Sequence, residues 1–208
     1  MAIITAHAGL AFSQFRIGPR RFDYDEVSDS TGSIASRGIG QPRWTLGVSS
    51  PDKMGDAQAA LWLQMIMKLR GRVNHLAIYD YVRTAPRGTM RGTLTLNSAI
   101  SIGATSAIIT GGVGQAGTTL KVGDWLQFGT GLGSQFVFVT DDATANGSGV
   151  ITVNFEHPAR VAFSGGAAVT WDKPLCYFKM ESTLPSWAYD AGYLTTSGID
   201  LDLLEQWQ

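Results

Sequence analysis

Residues 42–92 contain PRWTLGVSS (42–50), DAQAALWLQMIMKLRG (56–71), RVNHLAIYDY (72–81) and TAPRG (84–88), the most regular pattern in the chain. In the first segment Trp44, Leu46 and Val48 alternate with small or polar residues, which is typical of a half-buried strand. The order of the segments predicts a strand, a helix, a second strand and then a basic turn.

The helix is predicted at about residues 55–70. Its apolar residues recur at spacings of one, three or four, so they form one stripe along the helix. Gly71 follows as the expected left-handed residue after the last turn. We expect the stripe to pack on a β-rich core, and it consists of Leu61, Trp62, Met65, Ile66 and Leu69.

The composition limits the classes of protein that fit. Charged residues make up 16% of the 208 residues, against roughly 25% in average soluble domains. The shortfall favours two interpretations equally: a surface covered by other subunits, since interface cores are depleted in charge, or a turn-rich β protein with a Ser/Thr/Gly surface.

The net charge of −1 provides no general attraction for nucleic acid. No apolar run reaches the ~18 residues that a membrane span needs.

Residues 93–173 are rich in glycine and poor in charge, and they contain six short β-type runs. Gly-Gly, Gly-Asp and Asn-Gly pairs separate the runs, which favours hairpins. We therefore predict a mainly β protein: a β-sandwich core with one α-helix, formed by residues 1–92 and 174–208 and interrupted by a small inserted β-barrel at 93–173. The six runs are 94–96, 107–110, 124–128, 135–140, 149–155 and 167–171.

Two segments without periodicity contain most of the candidate contact residues. Residues 16–41 lack a hydrophobic pattern, so we interpret them either as an arm that becomes ordered against a neighbour or as a flexible loop. Residues 83–91 connect the core to the insertion, where arginine could bind carboxylates of a neighbouring subunit. The candidate assembly residues are Arg16, Arg20, Arg21, Arg37, Arg83, Arg87 and Arg91.

The sequence motifs that could indicate catalysis or ligand binding are weak. Residues 112–117 match G-x-G-x-x-G, but the chain turns again within a few residues instead of opening a helix. His7, His75 and His157 are far apart in sequence, and Cys176 is the only cysteine. We therefore expect no catalytic residues, no bound cofactor and no metal site, and predict that the protein is not an enzyme.

The order of the segments resembles the distal tail proteins of long-tailed bacteriophages and prophages. The segments that carry the resemblance are the PRW strand, the helix ending in LRG, VNHLAIYDY, APRG, the VGDWLQF run of the insertion and the return strand KPLCYFKM. The resemblance implies a virion protein of the tail tip, assembled in the bacterial cytoplasm. It also implies a homo-oligomeric ring, usually of six subunits, between the tail tube protein and the hub proteins. In some members of the family the outer domain binds host surface carbohydrate.

Two alternatives stay open at this stage. One is a carbohydrate-binding module that uses exposed aromatic residues of the barrel, such as Trp125, Phe136 or Trp171. The other is a different ring component of a phage tail, such as a tail terminator or tube protein.

Overall fold

The described residues form one open six-stranded sheet, one closed six-stranded barrel and three two-stranded sheets, with one α-helix packed on the open sheet. The structure is a computed structural model, and it describes residues 1–181, 185–189 and 196–207. In chain order the elements are β1 (Ile3–Thr5), β2 (Gln14–Arg20), β3 (Asp23–Val27), β4 (Ile34–Gly38), β5 (Arg43–Ser49), α1 (Asp56–Leu69), β6 (His75–Ile78), β7 (Leu94–Leu96), β8 (Ser106–Thr110), β9 (Thr119–Leu120), β10 (Trp125–Phe128), β11 (Gln135–Val139), β12 (Ala143–Thr144), β13 (Val150–Glu156), β14 (Ala168–Thr170), β15 (Cys176–Met180), β16 (Ala188–Tyr189), β17 (Thr196–Ser197) and β18 (Asp200–Glu205).

The open sheet has six strands in the order β1-β6-β15-β18-β5-β2. Only β1 and β6 pair in parallel, and every other neighbouring pair is antiparallel. Strand β5 shows the alternation predicted from its sequence, because Trp44, Leu46 and Val48 are buried while the residues between them are partly exposed. The sheet joins the first, middle and last parts of the chain, so it forms only after distant segments meet.

The helix covers the apolar side chains of this sheet. Its predicted stripe is confirmed: Trp62, Met65, Ile66 and Leu69 are buried, and Leu61 packs beside them at partial exposure. The indole Nε1 of Trp62 donates a hydrogen bond to the carbonyl of Ala11 at 3.0 Å. This bond satisfies the polar atom of a side chain that is otherwise enclosed.

The barrel closes in the order β10-β11-β13-β8-β7-β14, and these strands are the six runs predicted from the sequence. Alternation along β13 places Ile151, Val153 and Phe155 inside, with exposed or partly exposed residues between them. The barrel has its own apolar interior, in which Phe128 packs edge-on against Phe155 with ring centroids 5.2 Å apart. The predicted fold class, mainly β with one helix and a small barrel, is therefore confirmed.

The expectation that residues 16–41 lack regular structure is wrong. Residues 16–20 belong to β2, which pairs with β5 along seven residues, and β3 and β4 form a hairpin. A turn closes this hairpin: the amide of Ser28 donates to the carbonyl of Ser33 at 2.9 Å, and Gly32 has a φ of 65°. The sequence pattern did not predict this hairpin, because all ten of its strand residues are exposed and show no apolar alternation.

The sequence divides the chain into a core, residues 1–92 and 174–208, and an insertion, residues 93–173. That these two parts fold separately stays a prediction. Residues 182–184, 190–195 and 208 of the predicted core segment lie outside the described residues. In the structure the side chains of Trp125 and Phe136, from the barrel strands, pack with the core residues of the open sheet. The two parts thus share an apolar junction.

Candidate assembly surface

The hairpin of residues 22–40, which we call the arm, is the most uncovered element in the described part of the chain. Every strand residue in it is exposed. Its apolar side chains are among the most exposed of the protein, with Tyr24 at 60% and Ile34 at 67% of full exposure. A two-stranded hairpin alone is only marginally stable in water. Such an arm gains stability when another surface covers it.

The register of the arm separates its side chains into two faces. Residues directly opposite each other in a sheet lie on the same face. Asp23, Asp25 and Val27 alternate along β3, and Val27 is opposite Ile34. This face, which we call the acidic face, therefore combines two carboxylates with two aliphatic side chains.

The second face of the arm is neutral overall. It carries Tyr24, Glu26, Ala35 and Arg37, since Tyr24 is opposite Arg37 and Glu26 is opposite Ala35. The carboxylate of Glu26 and the guanidinium of Arg37 balance in charge. The two faces of the arm are thus chemically distinct.

The open sheet has a free edge at each end. Strand β1 pairs with β6 alone and β2 pairs with β5 alone among the described strands. Exposed sheet edges present unpaired backbone groups, which favour pairing with another chain unless the protein blocks them. Pro19 removes one amide from β2. The arm extends from the β2 side, so the two edges differ in what they present.

The first group of predicted assembly residues lies on and around the arm. Arg16 is exposed on β2 and lines a polar groove with Asp200 and Asp202. Arg37 is exposed on β4. Neither guanidinium forms an ion pair with a described residue at salt-bridge distance.

Arg20 and Arg21, at the base of the arm, have partners within the chain. Arg20 forms an ion pair with Glu181, and its guanidinium lies over the ring of Phe22. Arg21 forms an ion pair with Glu156 of the barrel, with Nη2 and Oε1 separated by 2.6 Å. These pairs are partly exposed, so each contributes on the order of 1 kcal/mol or less. They fix the direction in which the arm leaves the sheet.

The second group, Arg83, Arg87 and Arg91, is held by backbone carbonyls of the same chain. Arg83 donates to the carbonyl of Gly123 at 2.7 Å, and Arg87 donates to the carbonyl of Val122 at 2.5 Å. Arg91 donates to the carbonyls of residues 86, 88 and 90 at 2.6–2.9 Å. These side chains attach the connecting loop to the barrel and to itself. Their contact with a neighbouring subunit stays a prediction.

Asp124 organises the same loop from the barrel side. Its carboxylate accepts hydrogen bonds from the amides of Arg87 at 2.7 Å, Gly88 at 3.2 Å and Lys121 at 2.7 Å. Asp124 is buried, with 1% of its surface exposed. A buried carboxylate is tolerated when several donors satisfy it. Asp124 was not among the predicted site residues, although a lone acid directly before the apolar run WLQF is a visible signal.

Two of the three aromatic residues predicted for a sugar platform are buried, and the third, Trp171, is partly exposed. Trp125 and Phe136 are buried at the junction with the open sheet, and their rings stack with centroids 4.4 Å apart. The guanidinium of Arg91 lies over the ring of Trp171, 5.0 Å from its centroid. The expectation that Trp125 and Phe136 are exposed is therefore wrong, and Trp171 is partly exposed beneath the guanidinium of Arg91. Because the sheet and the barrel meet there, both sides use large rings to fill the junction.

His157 lies in this junction with unusual surroundings. Its ring packs against Trp44 with centroids 4.1 Å apart, and neither ring nitrogen has a hydrogen-bond partner among the described residues. Burial lowers the pKa of His157 to about 4, and the nearby positive charges of Arg21 and Arg160 add to the shift. The imidazole is therefore neutral at pH 7. It acts as a packed aromatic ring, and not as a proton-transfer group near neutrality.

The described residues contain no group of three or more His, Cys, Asp or Glu side chains that could hold a metal ion. Within the same residues, no helix is long and apolar enough to cross a membrane. No known family model matches the chain, and no curated protein matches it in sequence. The candidate site is thus defined by the arm, the two sheet edges and the arginine-rich loop.

Proposed function

We propose that the protein is a structural component of the tail tip of a long-tailed phage or prophage. It would act as a distal tail protein whose copies form a ring between the tail tube and the hub. One observation supports this proposal above the others: an uncovered arm extends from one edge of a sheet that is open at both ends. A molecule with two different contact surfaces associates head to tail, and such contacts give a closed ring when the rotation closes.

The low charge content supports the same proposal. Charged residues make up 16% of the chain, and the cores of subunit interfaces are depleted in charge. The exposed apolar side chains are concentrated on the arm and around β1 at the other end of the sheet. In a ring, both groups would be covered by neighbours. The partners would be further copies of the chain, together with the tail tube and hub proteins in the virion.

The resemblance to distal tail proteins predicts that the ring contains six subunits. Another ring component of the tail, such as a terminator or tube protein, would use the same head-to-tail geometry. A carbohydrate-binding module receives less support, because Trp125 and Phe136 are enclosed in the junction. Assembly is therefore the property to measure first.

The test is native mass spectrometry and negative-stain electron microscopy of the full chain, alone and mixed with the tail tube and hub proteins of the same phage or prophage. We expect a closed ring, with six copies as the predicted stoichiometry. A second sample replaces residues 24–37 with a short Gly-Ser turn. It should keep the thermal transition of the wild type and lose the ring. A wild-type chain that stays monomeric with and without these partners would contradict the proposal.

Antibody labelling of virions then separates the tail components. Gold particles at the tip would support a distal tail protein. Labelling along the whole tail would indicate a tube protein, and labelling next to the capsid would indicate a terminator.

A further inference from the structure

We infer that the acidic face of the arm docks into a basic, apolar groove at the opposite edge of the sheet in a second copy of this chain. The inference rests on the proposed ring and names the two surfaces that would form its contact. The groove lies between strand β1 and the C-terminal end of helix α1.

The groove has a volume of about 770 Å³ and is open to solvent along one side. Met67 is 61% exposed and Val73 is 55% exposed, and both line the same groove. Exposed apolar side chains that cluster in this way mark interaction sites more often than single ones do. The side chains that line the groove include Lys68 and Arg70, and the lining contains no carboxylate. Ile3 of the edge strand β1 adds a further exposed aliphatic group.

Lys68 and Arg70 are the two charged side chains that line the groove. Lys68 and Arg70 are exposed, and neither forms an ion pair with a described residue. Lys68 lies in the last turn of the helix, where a positive charge also complements the helix dipole. The groove therefore presents two positive charges beside aliphatic side chains.

The acidic face of the arm presents the complementary pattern. Asp23 and Asp25 lie beside Val27 and Ile34, and the last two are 58% and 67% exposed. The arm of residues 22–40 contains four acidic residues and one arginine, so its net charge is −3. Interfaces place positive patches against negative ones, and like charges in contact cost several kcal/mol. Both the charge and the apolar content of the arm fit the groove.

The arm and the groove lie at opposite edges of the sheet, and no ion pair joins them in the described chain, which favours contact between two molecules. The arm leaves the sheet beside β2, and the groove borders β1, which is five strands away in the sheet order. Neighbouring strands are about 4.8 Å apart, so the two edges are separated by roughly 24 Å. A neighbour placed edge to edge would bring its groove within reach of the arm.

The first test compares two substitutions on the same strand. Asp25→Lys reverses a charge on the acidic face, whereas Glu26→Lys reverses a charge on the opposite face. Both residues are exposed, and both substitutions change the net charge by the same amount. We expect Asp25→Lys to weaken ring formation at least tenfold in sedimentation velocity, and Glu26→Lys to change it less than threefold. Equal effects from the two variants would overturn the inference.

The second test reverses both surfaces together. Asp23→Lys/Asp25→Lys and Lys68→Glu/Arg70→Glu should each abolish the ring at concentrations where the wild type assembles. The chain with all four substitutions should assemble again. Thermal melting of each variant controls for folding. Failure of the combined variant to assemble, while its melting transition is unchanged, would refute the proposed pairing.

A cysteine crosslink gives an independent measurement. Ile34→Cys and Met67→Cys in one chain should form a disulfide between copies under copper–phenanthroline oxidation, because the inference places them in one contact. Ala35→Cys with Met67→Cys is the control, since residue 35 is on the other face. The single native cysteine, Cys176, is buried and does not compete.

The outcomes separate the two proposals. A wild-type chain that never assembles would contradict the ring and the docking together. If the wild type forms a ring, the Asp25→Lys variant forms it equally well and no crosslink appears, the ring proposal would stand and the docking inference would be refuted.

Discussion

The junction between the barrel and the open sheet contains a buried ion pair that can be tested quantitatively. Arg160 donates from Nη1 to Oε1 of Glu205 at 2.5 Å, and the two side chains are 5% and 3% exposed. The other carboxylate oxygen of Glu205 accepts from the amide of Trp44 at 3.0 Å. Arg160 also donates to the carbonyl of Ser134 at 3.2 Å, and its guanidinium lies over the ring of Trp207.

We predict that Arg160→Met lowers the free energy of unfolding by about 3–5 kcal/mol, because it leaves the Glu205 carboxylate buried without its cation. Glu205→Gln keeps an acceptor for the amide of Trp44 and should cost roughly 2–3 kcal/mol. The double variant buries neither charge. It should therefore be more stable than Arg160→Met alone, at a cost of roughly 1–2 kcal/mol relative to the wild type.

The assay is urea unfolding at pH 7, followed by tryptophan fluorescence and by circular dichroism. Trp44, Trp125 and Trp207 surround the junction, so fluorescence reports on it directly. Coincident transitions by both probes would justify a two-state analysis. If Arg160→Met costs less than about 1 kcal/mol, or if the double variant loses the sum of the two single losses, the ion pair does not support the junction in this way.

Three further predictions concern stability. Trp62→Ala should cost about 3–5 kcal/mol in the same assay, because Trp62 is fully buried, and a loss below about 1 kcal/mol would place its side chain outside the core. The pKa of His157 is lowered to about 4 in the folded chain, so the unfolded chain binds more protons between pH 4 and 6.5 and stability should fall as the pH falls through this range. The full shift corresponds to about 3 kcal/mol, and solvent screening reduces this to roughly 2 kcal/mol. His157→Phe should reduce the pH dependence by this amount and Arg37→Gln should leave it unchanged, while burial also lowers the pKa of His75 and gives a remaining dependence of the same sign. Gly149→Ala should cost at least about 2 kcal/mol more than Gly166→Ala, although both glycines have positive φ, because a Cβ at residue 149 would lie 1.7 Å from the carbonyl oxygen of Gly112 while residue 166 faces open space. Equal melting temperatures for these two variants would contradict the close approach.

Local patterns in the sequence were sufficient to predict most of the secondary structure. The helix was predictable because its stripe repeats along one face and a glycine follows its last turn. The six barrel strands were predictable because glycine-rich turns separate short β-branched and aromatic runs. The arm was not predictable, because exposed strands carry no apolar alternation and depend on backbone pairing across a turn.

The same difference between local and tertiary information applies to the candidate assembly surface. The sequence indicated which segments are rich in arginine, but not which partners the arginines have. Arg83 and Arg87 bind carbonyls of residues that the fold brings close, and no pattern at their own positions encodes those carbonyls. Arg91 instead binds carbonyls of its own loop. The acidic face of the arm became visible only through the register of β3 and β4.

By itself, the sequence determined the elements whose signals are local: the amphipathic helix, the alternating strands and the turns between them. Tertiary structure alone decided that β18 pairs with β5 and β15, that Glu205 meets Arg160 across the junction, and that the arm and the groove lie at opposite ends of one sheet. The physical reason is that side-chain periodicity is set by neighbours along the chain. Pairing between distant strands is instead set by which surfaces can be buried together, a property of the whole chain.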